Sequence, residues 1–92
     1  MPVTTIKLQG NLASKNNMSD LTAKAIEKFE SMLRAENCQV INVNMGEEGR
    51  TMLGRQQVIT VVWTGFSTKI KSSYTAWPNY GLFGGVSSVT LG

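Results

Sequence analysis

Only one stretch of this chain has the periodicity of an amphipathic helix, and that restricts the fold more than any other feature. In MSDLTAKAIEKFESMLRAENC, Leu21, Ala25, Phe29, Met32 and Leu33 recur at helical spacing, with Ile26 beside them. Asn17 or Ser19 is placed to cap the N-terminus, and Asp20 suits the positive end of the dipole. Asn37 supplies a C-terminal stop, so the predicted helix spans about 19–36.

The segments around the helix alternate instead. VTTIKLQ, Val3 to Gln9, sets Thr4, Ile6 and Leu8 on one face against Val3, Thr5, Lys7 and Gln9 on the other. QVINVNM, Gln39 to Met45, groups Ile41, Val43 and Met45 opposite Asn42 and Asn44. QVITVVWTGF, Gln57 to Phe66, is the strongest strand, with Ile59, Val61 and Trp63 on one face and Val58 and Val62 on the other. Apolar residues on both faces predict a central strand covered on two sides. STKIKSSY, Ser67 to Tyr74, reads as a weaker strand. VSSVTL, Val86 to Leu91, reads as a last edge strand, or else the C-terminal ten or so residues are a tail.

The predicted fold is therefore α+β. A single helix packs on one face of a mainly antiparallel sheet of about 4–5 strands, in the order β-α-β-β-β, within one domain over residues 1–92. One helix covers one face. Val58 and Val62 then need a second cover, either the C-terminal segment or another subunit. A chain of this length buries a thin core, roughly 60% of its unfolded surface, and oligomerisation is a common remedy.

The residue inventory removes most catalytic chemistry. There is no histidine, hence neither the usual proton shuttle near neutral pH nor the commonest transition-metal ligand. Cys38 is the only cysteine, so it has no disulfide partner within the chain and no histidine to activate it; a small buried apolar role is expected. Of the six acids, Asp20, Glu27, Glu30 and Glu36 belong to the helix or its end, and Glu47 and Glu48 are adjacent in a turn. Neighbours in extended chain point apart, which suits neither an acid–base pair nor a metal cage. The expectation is a protein that is not an enzyme and holds no cofactor and no metal.

Two stretches remain as binding candidates. GEEGRTMLGR, Gly46 to Arg55, joins three glycines to Arg50 and Arg55, residue types that contact anions. It lacks the phosphate-loop spacing, and Glu47 and Glu48 oppose an anion. It reads as a turn or long hairpin loop. The second stretch holds the aromatics. Of seven, only Phe29 lies outside residues 63–83, which carry Trp63, Phe66, Tyr74, Trp77, Tyr80 and Phe83, with Lys69 and Lys71 among them. Trp63 shares its face with Ile59 and Val61 and is expected in the core. Tyr74, Trp77 and Tyr80 flank WPNYG, a turn-forming sequence expected to be exposed. The partner-binding set predicted here is Tyr74, Trp77, Tyr80, Phe83, Lys69 and Lys71.

Those residues suit protein–protein contact, because Trp and Tyr bury much area at low entropic cost. They also suit single-stranded nucleic acid, on which rings stack while lysines meet phosphate. A net charge of +3 is too small and too dispersed for a dedicated duplex binder, which favours protein. The first function expected is a non-enzymatic binding or assembly module, a homo-oligomer that contacts protein or itself; an accessory or inhibitor protein of a mobile element fits the same description. The second is a single-strand nucleic-acid binder. MPVTTIKLQG has neither the basic nor the apolar region of a secretory signal, and no apolar run approaches a membrane span, so the expected location is the cytoplasm, away from membranes.

Overall fold

The computed structural model describes residues 1–9, 15–46, 49–51, 54–82 and 85–92. The elements are β1 (Val3–Leu8), α1 (Lys15–Ala35), β2 (Gln39–Met45), β3 (Gly49–Thr51), β4 (Gly54–Thr64), β5 (Ser73–Tyr80) and β6 (Val86–Leu91). Five strands lie side by side in the order β2-β4-β1-β5-β6, and short β3 folds back on the start of β4. β1 runs parallel to β5; the other pairs are antiparallel. The sheet is mixed but mostly antiparallel, with one helix, as the α+β pattern predicts.

The core lies between α1 and one face of the sheet. Leu21, Ala25, Phe29 and Leu33 of the helix are buried, together with Ile6 and Leu8, Ile59, Val61 and Trp63, Tyr74 and Ala76, and Val86 and Val89 from the strands. The alternation in β1 and β4 thus selects the correct face at every position. The Trp63 indole is buried, and its Nε1 donates to Thr4 Oγ1 at 2.9 Å; Thr4 in turn donates to the Lys71 carbonyl at 2.9 Å. A buried hydroxyl on an apolar face is affordable because both its roles are filled.

The helix starts four residues earlier than its apolar periodicity indicates. Asn17, Ser19 and Asp20 lie within it, and no acid occupies its first turn. Lys15 to Ser19 contain neither proline nor glycine, so nothing stops the helix from running back beyond the part that buries a face. Its C-terminus ends where the sequence indicates. Asn37 adopts φ 58°, Cys38 N–H donates to the Leu33 carbonyl at 2.8 Å, and Asn37 N–H donates to the Arg34 carbonyl at 3.1 Å. These two bonds make a Schellman cap with asparagine in the left-handed position, and buried Cys38 and Leu33 supply its hydrophobic contact. Cys38 thereby has the small apolar role expected of it. It also sets the next close approach: Gly65 has φ 120°, and a Cβ there would stand 2.7 Å from Cys38 Sγ.

Strand β5 departs most from the sequence pattern. Residues 67–72, expected as a strand, are a bend, and the strand begins at Ser73. The bend has its own partners: Ser67 Oγ accepts the Lys69 N–H at 3.1 Å, and the Tyr74 hydroxyl accepts the Lys71 N–H at 3.0 Å. Side-chain bonds of this kind compete with a ladder. The expected WPNYG turn is also corrected, since Trp77 to Tyr80 are the second half of β5. Pro78 is tolerated there because of register. Thr75 and Gly92 exchange both backbone bonds at 2.9 Å, so alternate residues, Trp77 and Asn79, face β6. The nitrogen of Pro78 faces the β1 side, where pairing with β1 has already ended at Ala76. Its missing N–H leaves no gap in the ladder.

Two bulges adjust the edge strands. In β2 the register shifts between Val40 and Asn42, so Val40 pairs with Trp63 and Val43 with Val61, both on the helix side. Ile41 is the extra residue and is half exposed; it does not share the face of Val43 and Met45 as the alternation predicts. In β6 the shift falls between the partners of Asn79 and Tyr80, so Val86 and Val89 are both buried although three positions apart.

Candidate interaction surface

The face opposite α1 is the chemically distinctive surface. Residues paired across neighbouring strands share a face, so the registers give its composition. Asn44, Thr60, Thr5 and Ser73 form one row across four strands. Asn42, Val62 and Val3 form a second, and Val58, Lys7 and Thr75 a third. Beyond them Trp77 lies opposite Thr90, and Asn79 opposite Ser88. Asn79 Nδ2 donates to Ser88 Oγ at 3.2 Å and to Thr90 Oγ1 at 3.1 Å, tying that corner together.

β4 is an inner strand, but among the described residues it is covered on one face only. The C-terminal segment extends the sheet at its edge as β6 and does not lie over Val58 and Val62. Val58 and Val62 are half-buried among the neighbouring strands, Val3 is exposed, and Trp77 keeps 52% of its surface. Lys7 is the single charged residue on this face among the described residues.

The aromatic residues singled out by sequence do not form one cluster. Tyr74 is 4% exposed, packs edge-on against Phe29 with ring centroids 5.8 Å apart, and holds the 67–72 bend through its hydroxyl. It is removed from the contact set because, as the second residue of β5, it points to the helix side. Trp77 and Tyr80 are both exposed but occupy opposite faces, since Tyr80 pairs with buried Val86 and Trp77 with Thr90. Phe83 lies outside the described residues. Lys69 and Lys71 are exposed in the bend, and Lys71 Nζ lies 4.9 Å from the Tyr74 ring centroid. The cation nearest in register to Trp77 on its own face is therefore Lys7, not the two lysines of the bend. Arg50 and Arg55 occupy one register position across the β3–β4 hairpin, and Glu47 and Glu48 lie outside the described residues.

Phe66, expected at the end of the Gln57–Phe66 strand, lies beyond β4, which ends at Thr64. It is 86% exposed at the lip of an apolar groove of about 370 Å³ at the end of the sheet, with Pro2, Val3, Trp63 and Ile70 in its walls. No group of three or more His, Cys, Asp or Glu side chains converges among the described residues. No helix is long and apolar enough to cross a membrane.

One signal points to this part of the molecule and is independent of aromatic content. From Ser72 to Gly92 the chain carries no charged residue, although β5 and β6 make up one side of the sheet. Charge is one way exposed strands are ordinarily kept apart from other strands, and neither β5 nor β6 carries any. No family model, no curated protein and no solved structure matches the chain.

Proposed function

We propose that this chain is a non-catalytic assembly module that works through protein–protein contacts, self-associates, and uses the sheet face opposite α1 as its contact surface. The observation that carries the reading is the composition of that face: Val3, Val58, Val62 and Trp77 set in threonine, serine and asparagine, with Lys7 as its one charge among the described residues. Interface centres are depleted in charge and enriched in tryptophan, because desolvating a charge costs more than the contact returns. A face made mostly of short side chains also suits packing against a second sheet at about 10 Å separation.

Light scattering over a range of protein concentrations is the direct test. The wild type is expected at a multiple of the 10.0 kDa chain mass. Trp77→Ala and Val62→Lys are expected to weaken association, the lysine by placing an unpaired charge in the middle of the contact. A wild type that stays at chain mass, or an assembly indifferent to both changes, overturns the reading. Strong quenching of tryptophan fluorescence by a single-stranded oligonucleotide, declining steeply with salt, would replace it with nucleic-acid binding.

A further inference from the structure

We propose that the groove beside Phe66 is a second docking site, which takes an acidic segment of a partner protein carrying a bulky apolar side chain next to its carboxylate. This goes beyond the assembly reading and does not rest on it. Val3 is the one residue that the groove shares with the rows of the open face.

A chain of hydrogen bonds joins the base of the groove to its charge. Trp63 is buried in the wall, and its Nε1 donates to Thr4 Oγ1 at 2.9 Å. Thr4 Oγ1 donates to the Lys71 carbonyl at 2.9 Å, and the Lys71 N–H donates to the Tyr74 hydroxyl at 3.0 Å. Both backbone groups of Lys71 are therefore held by core side chains, and its Nζ lies 4.9 Å from the Tyr74 ring centroid. A cation placed in advance by the fold loses less freedom when an anion meets it.

The apolar surface runs on past the cavity. Ile70 is half-buried in the wall, Val3 is exposed, and Phe66 at the lip keeps 86% of its surface. A volume of about 370 Å³ falls at the low end of the range for small-molecule sites, roughly 300–1,000 Å³. A ligand confined to that volume would leave much of the Phe66 ring in water. A chain segment that continues over the lip covers it, and contiguous apolar surface with a polar rim is what such contacts use.

Charge selects the segment. Among the described residues lining the groove, Lys71 alone is charged, and Lys69 is exposed two positions earlier in the same bend. Glu36 accepts the Ser67 hydroxyl at 3.0 Å and does not line the groove. A carboxylate on the incoming segment therefore meets an opposite charge at the rim, and a lysine there meets a like one. The same charge disfavours a second copy, since setting this groove against itself about a two-fold axis brings the two lysine-bearing rims together.

Amide NMR of the isotope-labelled protein, titrated with blocked peptides, tests the site. Three probes carry Phe, Leu or Trp between two glutamates in a Gly/Ser frame, and three controls carry lysines in place of the glutamates. At least one acidic probe is expected to shift amides in residues 2–4 and 63–72, with its lysine control binding about threefold or more weakly. Phe66→Ser is expected to weaken that probe roughly tenfold. Lys71→Glu is expected to reverse the preference, so that the lysine control binds better than the acidic probe. Both substitutions are at exposed positions, and the amide spectrum establishes that each variant is folded. Trp77→Ala lies outside the groove and is expected to bind the acidic probe as the wild type does, so a failure of the face reading leaves this site standing. No shifts with any acidic probe, shifts centred elsewhere, or a preference that Lys71→Glu does not reverse would overturn the groove site and leave face association intact.

Discussion

The two faces of the sheet are made from the same strands, residue by residue, yet they obey different rules. On the helix side the residues are large and buried: Ile6, Leu8, Ile59, Val61 and Trp63, closed over by Phe29 and Leu33. One position to either side, the same strands present Thr5, Lys7, Thr60 and Val62, with no second helix over them among the described residues. On the first face the buried polar side-chain atoms are paired, including the Thr4 hydroxyl and the Trp63 indole. The second carries little charge, and among the described residues no element lies over it. Stability should reside in the first face and association in the second, and substitutions on each should separate the two.

The sharpest way to break this division is Phe29→Ala. Phe29 is fully buried and lies edge-to-face on Tyr74, so the cavity opens in the middle of the helix–sheet contact. A loss of about 3–5 kcal/mol is expected. Urea unfolding at fixed protein concentration measures it, since association adds apparent stability of its own. A loss below about 1 kcal/mol would mean that the helix side does not carry the fold.

A smaller effect, with a sign that tests the polar part of that face, comes from Thr4→Val against Trp63→Phe. Valine keeps the volume but leaves the Trp63 N–H and the Lys71 carbonyl without the hydroxyl that joins them. An orphaned buried donor costs about 1–3 kcal/mol. Trp63→Phe removes the donor itself and leaves Thr4 bonded to Lys71, so its cost is mainly a trimmed side chain. If Thr4→Val is neutral in urea unfolding, the hydrogen-bonded chain from Trp63 to Lys71 contributes nothing.

Sequence pattern and structure agree wherever burial alone decides the outcome. Helix α1, the faces of β1 and β4, the cap at Asn37 and the core place of Trp63 all follow from apolar spacing or from one residue's backbone preference. The disagreements fall where hydrogen bonding decides. The 67–72 bend is set by Ser67 Oγ and the Tyr74 hydroxyl, and those bonds have no periodic signature. Trp77-Pro78-Asn79-Tyr80 has turn composition, but Pro78 sits at the one phase of β5 where its nitrogen needs no partner. That phase is unreadable until the register with β6 is known. The bulges at Ile41 and in β6 change which residues share a face by one position, which no alternation count reveals. The aromatic residues therefore divide among the core (Trp63, Tyr74), the open face (Trp77), and the exposed positions of Phe66 and Tyr80. The more informative signal in the same segment is the absence of charge from Ser72 to Gly92.

The smallest expected effect on stability is the most informative about function. Trp77 is 52% exposed on the open face, opposite Thr90, and no core residue depends on it. Trp77→Ala is therefore expected to change the unfolding free energy by no more than about 0.5 kcal/mol under conditions where the chain is monomeric. At higher concentration the variant and wild type should diverge, because the ring buries roughly 150–250 Å² in a contact and that area is lost. The same substitution thus reads near zero in one regime and appreciable in the other, and the gap between them measures how far the open face acts outside its own chain. A large loss in the monomeric regime would place Trp77 with Phe29 and Trp63 as a residue that holds the fold, and the division between the two faces would no longer hold.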